Sequence, residues 1–357
     1  TLALNGGTLN LATDTSITAY GTIIGGDVII QSDKATASSP GITHTLGALS
    51  IGANTLTLSA GSNVSSGTAG LTFGATTLTG ASNFSLDTGT ILTLGAITDG
   101  GNRLTLTGSG NFAQSAAWAS GTAGGLTLGV SGGTTYSGAA TLDRANTFTG
   151  GVTLNSGTLN INLNGTAGTS GPLGNGGTFT INGGTLDNTS GSARVLGNVT
   201  PTTINGNFAF TGTGDLSLGT GATTLGTAAG TSRTITANAG ILSLAGVIAN
   251  GSTTNSITKE GNGILSFLGV NAFTGGLVVN AGTIRSTGNP TGGSGTITGG
   301  QFGTTTLTMA KNGTRRSSRM SGRQLDDLGG DERDDARPGD GHDPGDDHPA
   351  GDAPAHR

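Results

Sequence analysis

Nine carboxylates are all that residues 1–310 offer for acid–base chemistry: Asp14, Asp27, Asp33, Asp87, Asp99, Asp143, Asp187, Asp215 and Glu260. Glycoside cleavage needs two carboxyl groups roughly 5–10 Å apart. The closest pair along the chain is Asp27 and Asp33, in DVIIQSDK, and both read as surface-turn residues. No cluster of Asp, Arg and Lys recurs at strand spacing, as a polysaccharide lyase would want. A serine-type triad would have to rest on His44, the one histidine before residue 311, in ITHTLGALSIG; it reads as a solvent-facing strand residue. Gly212 opens TGDLSL, a single partial copy of a calcium-binding nonapeptide that works only in tandem, so a structural turn is expected. Trp118, in AQSAAWASG, fits either the core or an exposed insertion. With no Cys at all, disulfides and thiolate metal sites are excluded. No catalytic, cofactor-binding or metal-ligating residue is assigned, and no enzyme is expected.

The elements that carry these residues are short strands. Gly supplies 70 of 357 residues and Pro only 8, without a collagen period. Gly costs about 1 kcal/mol against Ala in a helix, which argues against helices throughout. The triplet Leu-Thr-Leu recurs at 56–58, 92–94, 104–106 and 126–128. Such alternation puts Leu on one face and Thr on the other, the period of a half-buried strand. Aromatic residues make up 4% of the chain, too few for a wide sandwich core, whereas a solenoid has a narrow core that Leu, Ile, Val and Ala can fill. The expected fold is all-β, a right-handed parallel β-helix over 1–308. At about 20 residues per coil, it would have roughly 15 coils.

One motif returns at Asn5-GGTL, Asn155-SGTL, Asn182-GGTL and Asn280-AGTI. Asn-x-Gly tolerates the left-handed backbone of a tight turn; stacked copies could also form amide ladders. Two copies extend further. Residues 144–161 read RANTFTGGVTLNSGTLNI and 269–286 read GVNAFTGGLVVNAGTIRS, the second preceded by KEGNGILSFLG from Lys259. They share N-x-F-T-G-G-x-x-x-N-x-G-T. This arrangement, clearest at 142–161 and 259–286, resembles the passenger-associated repeat of bacterial autotransporters. The resemblance implies a β-helical passenger of a cell-surface or secreted protein, with a transport or stabilising role rather than chemistry. It also implies a signal segment and a C-terminal outer-membrane barrel, neither of which is expected within residues 1–357. The pattern is already running at residue 2, as in an internal piece of a longer protein. Two other readings stand beside it: a β-helix carbohydrate-active enzyme, and an envelope repeat protein without autotransport.

Charge separates the chain into two parts. Residues 311–357 hold 19 of its 35 charged side chains and three of its four histidines, so 309–357 is expected to be a disordered tail. Its Arg, Asp, Gly, Pro, Ala and His vocabulary is what GC-rich DNA encodes out of frame; a natural charged linker is the alternative. Neither part has the basic stripe that phosphate binding requires, so no nucleic-acid partner is expected. Glycans or proteins of a host or neighbouring cell are the expected partners, and a monomer the expected state.

Overall fold

The computed structural model describes residues 1–317 apart from 18–19, 120, 198–199, 228–230, 287–301, 305 and 310–312. The described residues form strands and turns with no helix, and the ladders are parallel. In chain order the N-terminal coils visit a five-stranded sheet, an eleven-stranded sheet and a twelve-stranded sheet, then return. From Arg194 a six-stranded sheet takes the place of the five-stranded one in this cycle. The chain is thus a parallel β-solenoid of about twelve turns. Eleven spacings of about 4.8 Å make the longest sheet roughly 50 Å along the stack.

Registration of the Leu-Thr-Leu triplets shows why the sequence folds this way. In the eleven-stranded sheet, Leu56, Phe84, Leu106, Leu128, Leu154, Ile181 and Ile204 stand in one column. Every one of them is fully buried. One residue away, Thr105, Thr127, Thr153, Thr180, Thr203 and Thr224 form an outward column, where methyls and hydroxyls of neighbouring β-branched residues can pair across strands. The core holds more aromatic residues than a narrow solenoid needs: Trp118, Tyr136 and nine Phe side chains are buried.

Coil length departs from the uniform 20 residues expected. Ala139 pairs with Thr158, 19 residues on, while Val28 pairs with Leu56, 28 on. Corner loops absorb the difference, which is why there are fewer coils than length alone implied. One such insertion carries its own two-stranded patch, Ser39–Pro40 with Val64–Ser66. Pairing also runs past residue 308: strand Gly313–Ser317 lies beside Gly282–Ser286. There Arg315 falls in register with Ile284, at a position where earlier coils have Leu216, Leu242 and Leu265. The remainder of the expected tail, 318–357, lies outside the described residues.

Candidate functional site

The N-x-F-T-G-G segments are corners, and each residue type in them has a distinct task. In the first copy, Asn146 is fully buried. Its Oδ1 accepts the Trp118 backbone N–H at 2.8 Å, and its Nδ2 donates to the Pro172 carbonyl at 2.9 Å. The Gln114 amide bonds it in both directions, at 3.2 and 3.1 Å. One side chain therefore ties its own coil to those before and after it. Phe148 points inward, its ring centroid 4.6 Å from that of Trp118. Thr149 and Gly150 donate backbone N–H groups to Thr122 and Gly124 of the preceding coil. A Cβ on Gly150 would lie 2.0 Å from the Ala123 carbonyl oxygen; the coils stack too closely there for any side chain. Gly151 follows at φ 74°, a left-handed turn that favours glycine.

The second copy repeats these roles. Asn271 is buried and accepts the Ile248 N–H at 2.8 Å. Phe273 is buried with its ring 6.4 Å from Phe267, edge to face. Gly275 donates to the Asn255 carbonyl, and a Cβ there would lie 2.3 Å from that oxygen. Gly276 has φ 89°. The two corners nevertheless join different faces. The first lies between a strand of the twelve-stranded sheet, Ala139–Leu142, and one of the eleven-stranded sheet, Val152–Leu154. The second leads from Ile264–Phe267 in the six-stranded sheet to Leu277–Val279 in the twelve-stranded one.

The Asn-x-Gly copies that follow are turns, and some of them also ladder. Asn182 Nδ2 donates to Asn155 Oδ1 at 2.7 Å, and Asn205 Nδ2 to Asn182 Oδ1 at 3.0 Å. Asn280 instead donates to the Glu260 carboxylate at 2.6 Å, so the four copies do not make one row.

Lys259, at the head of the second repeat, has a role that spacing did not disclose. Its strand, Ser256–Glu260, alternates buried and half-buried residues, and Lys259 occupies an inward position with no exposure. The register neighbours in its column are Ile235 and Val279. Its ammonium donates to the carbonyls of Glu260 at 2.5 Å, Gly261 at 2.7 Å and Ala281 at 3.2 Å. Burial outweighs the nearby Glu260 charge and lowers its pKa to about 8.

The residues that could have formed a catalytic centre are dispersed. Asp27 is exposed, its Oδ1 accepting the Thr55 N–H at 2.7 Å. It borders a shallow surface groove of about 390 Å³ with Thr8, Ile29 and Thr57. Asp33 is six residues further along an extended strand, on the order of 20 Å away, and the two are not brought together. Contrary to the surface-turn expectation, Asp33 is 1% exposed. Burial would raise its pKa, but hydrogen bonds from Asn10, Lys34 N–H and Asn63 N–H outweigh it and hold the carboxyl below its usual range. His44 is also not solvent-facing: it has no exposure and stands in a core column with Leu71, Leu92 and Phe112. The flanking Thr43 and Thr45 take the outward positions, so strict alternation turns His44 in. Asp99 is likewise buried, accepting Trp118 Nε1–H at 2.6 Å, Gly101 N–H at 2.7 Å and the Thr122 hydroxyl. Trp118 therefore belongs to the core. Gly212 has φ 82°, and Asp215 accepts the Ile241 N–H of the next coil at 2.9 Å, as a structural turn does.

Comparison with known families gives one match: the passenger-associated-transport-repeat model matches residues 140–161 and 257–285. Those two spans contain the corners built on Asn146 and Asn271. Neither a curated protein nor a solved structure matches the chain. The repeat and the parallel solenoid together fit an autotransporter passenger-type repeat protein.

Proposed function

We propose that this chain is a non-enzymatic passenger segment whose repeats assist secretion and presentation at the cell surface, with adhesive or structural use of the displayed solenoid. The observation that supports the reading most is the pair of matched corners, because their buried Asn and close-packed Gly residues bond to adjacent coils. Such a unit gains stability when its neighbour has stacked, so folding can propagate along the chain as it emerges. Low charge and the lack of cysteine suit a chain that must pass a membrane pore unfolded.

The test is export. The full chain would be joined to a signal segment and an outer-membrane translocator, and its protease accessibility measured on intact cells. The native chain is expected to reach the surface, and the Asn146→Ala, Asn271→Ala double variant to reach it several-fold less. Equal display of both would remove the proposed role of the corners. Cleavage of polysaccharides by the purified chain would favour the carbohydrate-active alternative instead.

A further inference from the structure

The first coil is fastened to the core through the ring of His44. His44 Nδ1 accepts the Ile17 backbone N–H at 3.3 Å, while Nε2 contacts the Asp33 carbonyl oxygen at 2.9 Å. A carbonyl only accepts, so Nε2 carries the proton and Nδ1 presents its lone pair: the ring is neutral and both nitrogens are committed. Ile17 belongs to the strap Thr13–Ile17, which also gives its carbonyl to the Thr45 N–H at 2.9 Å. That contact covers the outer edge of strand Thr43–Leu46, the last strand of the twelve-stranded sheet. The other end of the strap is held by Asp14, which accepts Ala35 N–H, Thr36 N–H and the Thr36 hydroxyl and lies 3.8 Å from Lys34 Nζ.

We infer that His44 is an acid-sensitive latch: protonation at Nδ1 would set one N–H against another, eject the Ile17 amide and uncover this sheet edge. The charged groups around the latch are Asp33 at the end of strand Val28–Asp33 earlier in the same coil, Lys34 beside it and Asp14 on the strap; the adjoining strand Ala69–Phe73 contributes none. Asp33 would favour the imidazolium by charge, yet its carboxylate is already fixed by Asn10, Lys34 N–H and Asn63 N–H. At the ring only the Ile17 N–H bond has to break, and the Thr45 N–H to Ile17 carbonyl bond must open with it for the edge to be uncovered. Hydrogen bonds from Thr36 keep the Asp14 carboxyl below its usual range, so the Asp14 end stays tied under mild acid and the strap swings from there. An uncovered parallel edge is a template for another strand.

Amide exchange on the full chain tests the latch, with protection corrected for the intrinsic pH dependence of exchange. Ile17 is expected to lose about tenfold or more of its protection between pH 8 and pH 5 through a local opening. His44→Gln offers an acceptor and a donor that do not titrate, and it should hold Ile17 protected at both pH values. Loss of protection in His44→Gln equal to that of the native chain would overturn the latch, as would native protection unchanged by acid. Imidazole nitrogen shifts of the native protein provide a second measure that needs no variant. They should titrate with the same midpoint as Ile17 exchange, and separate midpoints would refute the coupling.

Discussion

At the scale of single residues, the buried cations Lys259 and Arg233 are held by backbone carbonyls of their own and adjacent coils rather than by ion pairs. Lys259 is bonded by three carbonyls, and Arg233, 5% exposed, donates Nε to the Ile204 and Leu225 carbonyls at 3.0 Å. Burial lowers the pKa of both. For Lys259 this has a definite consequence for stability. An unfolded lysine titrates near 10.4, the folded one near 8, so between those values the unfolded chain binds more protons. Stability contributed by this residue must therefore rise with pH across that interval, by a few kcal/mol at most. Denaturant midpoints of the native chain and Lys259→Met, followed from pH 7.5 to 10, should diverge, with the native chain gaining relative to the variant. Parallel curves would show that Lys259 is not desolvated. Using the difference removes the opposite trend from buried Tyr136, whose phenol is pushed up by burial. The Leu and Thr faces were legible in the sequence, whereas the inward placement of His44, Lys259 and Arg233 was missed. Alternation does place all three inward, but a buried cation is improbable until its partners are known. Those partners include residues such as Ala281 and Ile204, which only the register of coils brings near.

At the scale of elements, the two matched repeats show that a corner can be moved between faces. The same Asn, Phe and paired Gly join different sheets in the two copies, so the motif encodes a way of turning and stacking rather than a position. That much could be anticipated from the shared spelling of 144–161 and 269–286. The reason for the spelling could not, since Gly150 is required by the Ala123 carbonyl one coil away. Gly150→Ala and Gly275→Ala should each cost about 1–3 kcal/mol, as overpacking against fixed backbone does. Gly52 provides the control, because a Cβ there meets only ordinary contacts at 3.5 Å or beyond; Gly52→Ala should stay within about 0.5 kcal/mol. Urea midpoints compare the three directly. A similar loss at all three would mean that glycine acts through chain entropy and not through stacking distance.

For the whole molecule, stability is distributed along one axis, since coils stack chiefly on their neighbours, with Arg103 reaching one coil further to Gly150 and Thr153. The strands at the start have a neighbour on one side only: Thr8–Ala12 ends the eleven-stranded sheet. The second repeat is differently placed. Ile264–Phe267 is paired on both sides, with Ile241–Leu244 and with Gly282–Ser286. The same repeat contributes buried Leu265, Phe267, Phe273, Leu277, Val279 and Ile284. Burying a large aliphatic or aromatic side chain contributes roughly 1.5–3 kcal/mol, so this density marks 259–286 as part of a stable nucleus from which stacking can spread. Exchange measured across the native chain should place the amides of Ile264–Phe267 and Leu277–Val279 among the slowest and those of Thr8–Ala12 among the fastest. If 259–286 instead exchanged among the least protected segments, the matched repeat would be a passenger of the stack, and nucleation would have to be sought in the Leu-Thr-Leu coils between 56 and 128.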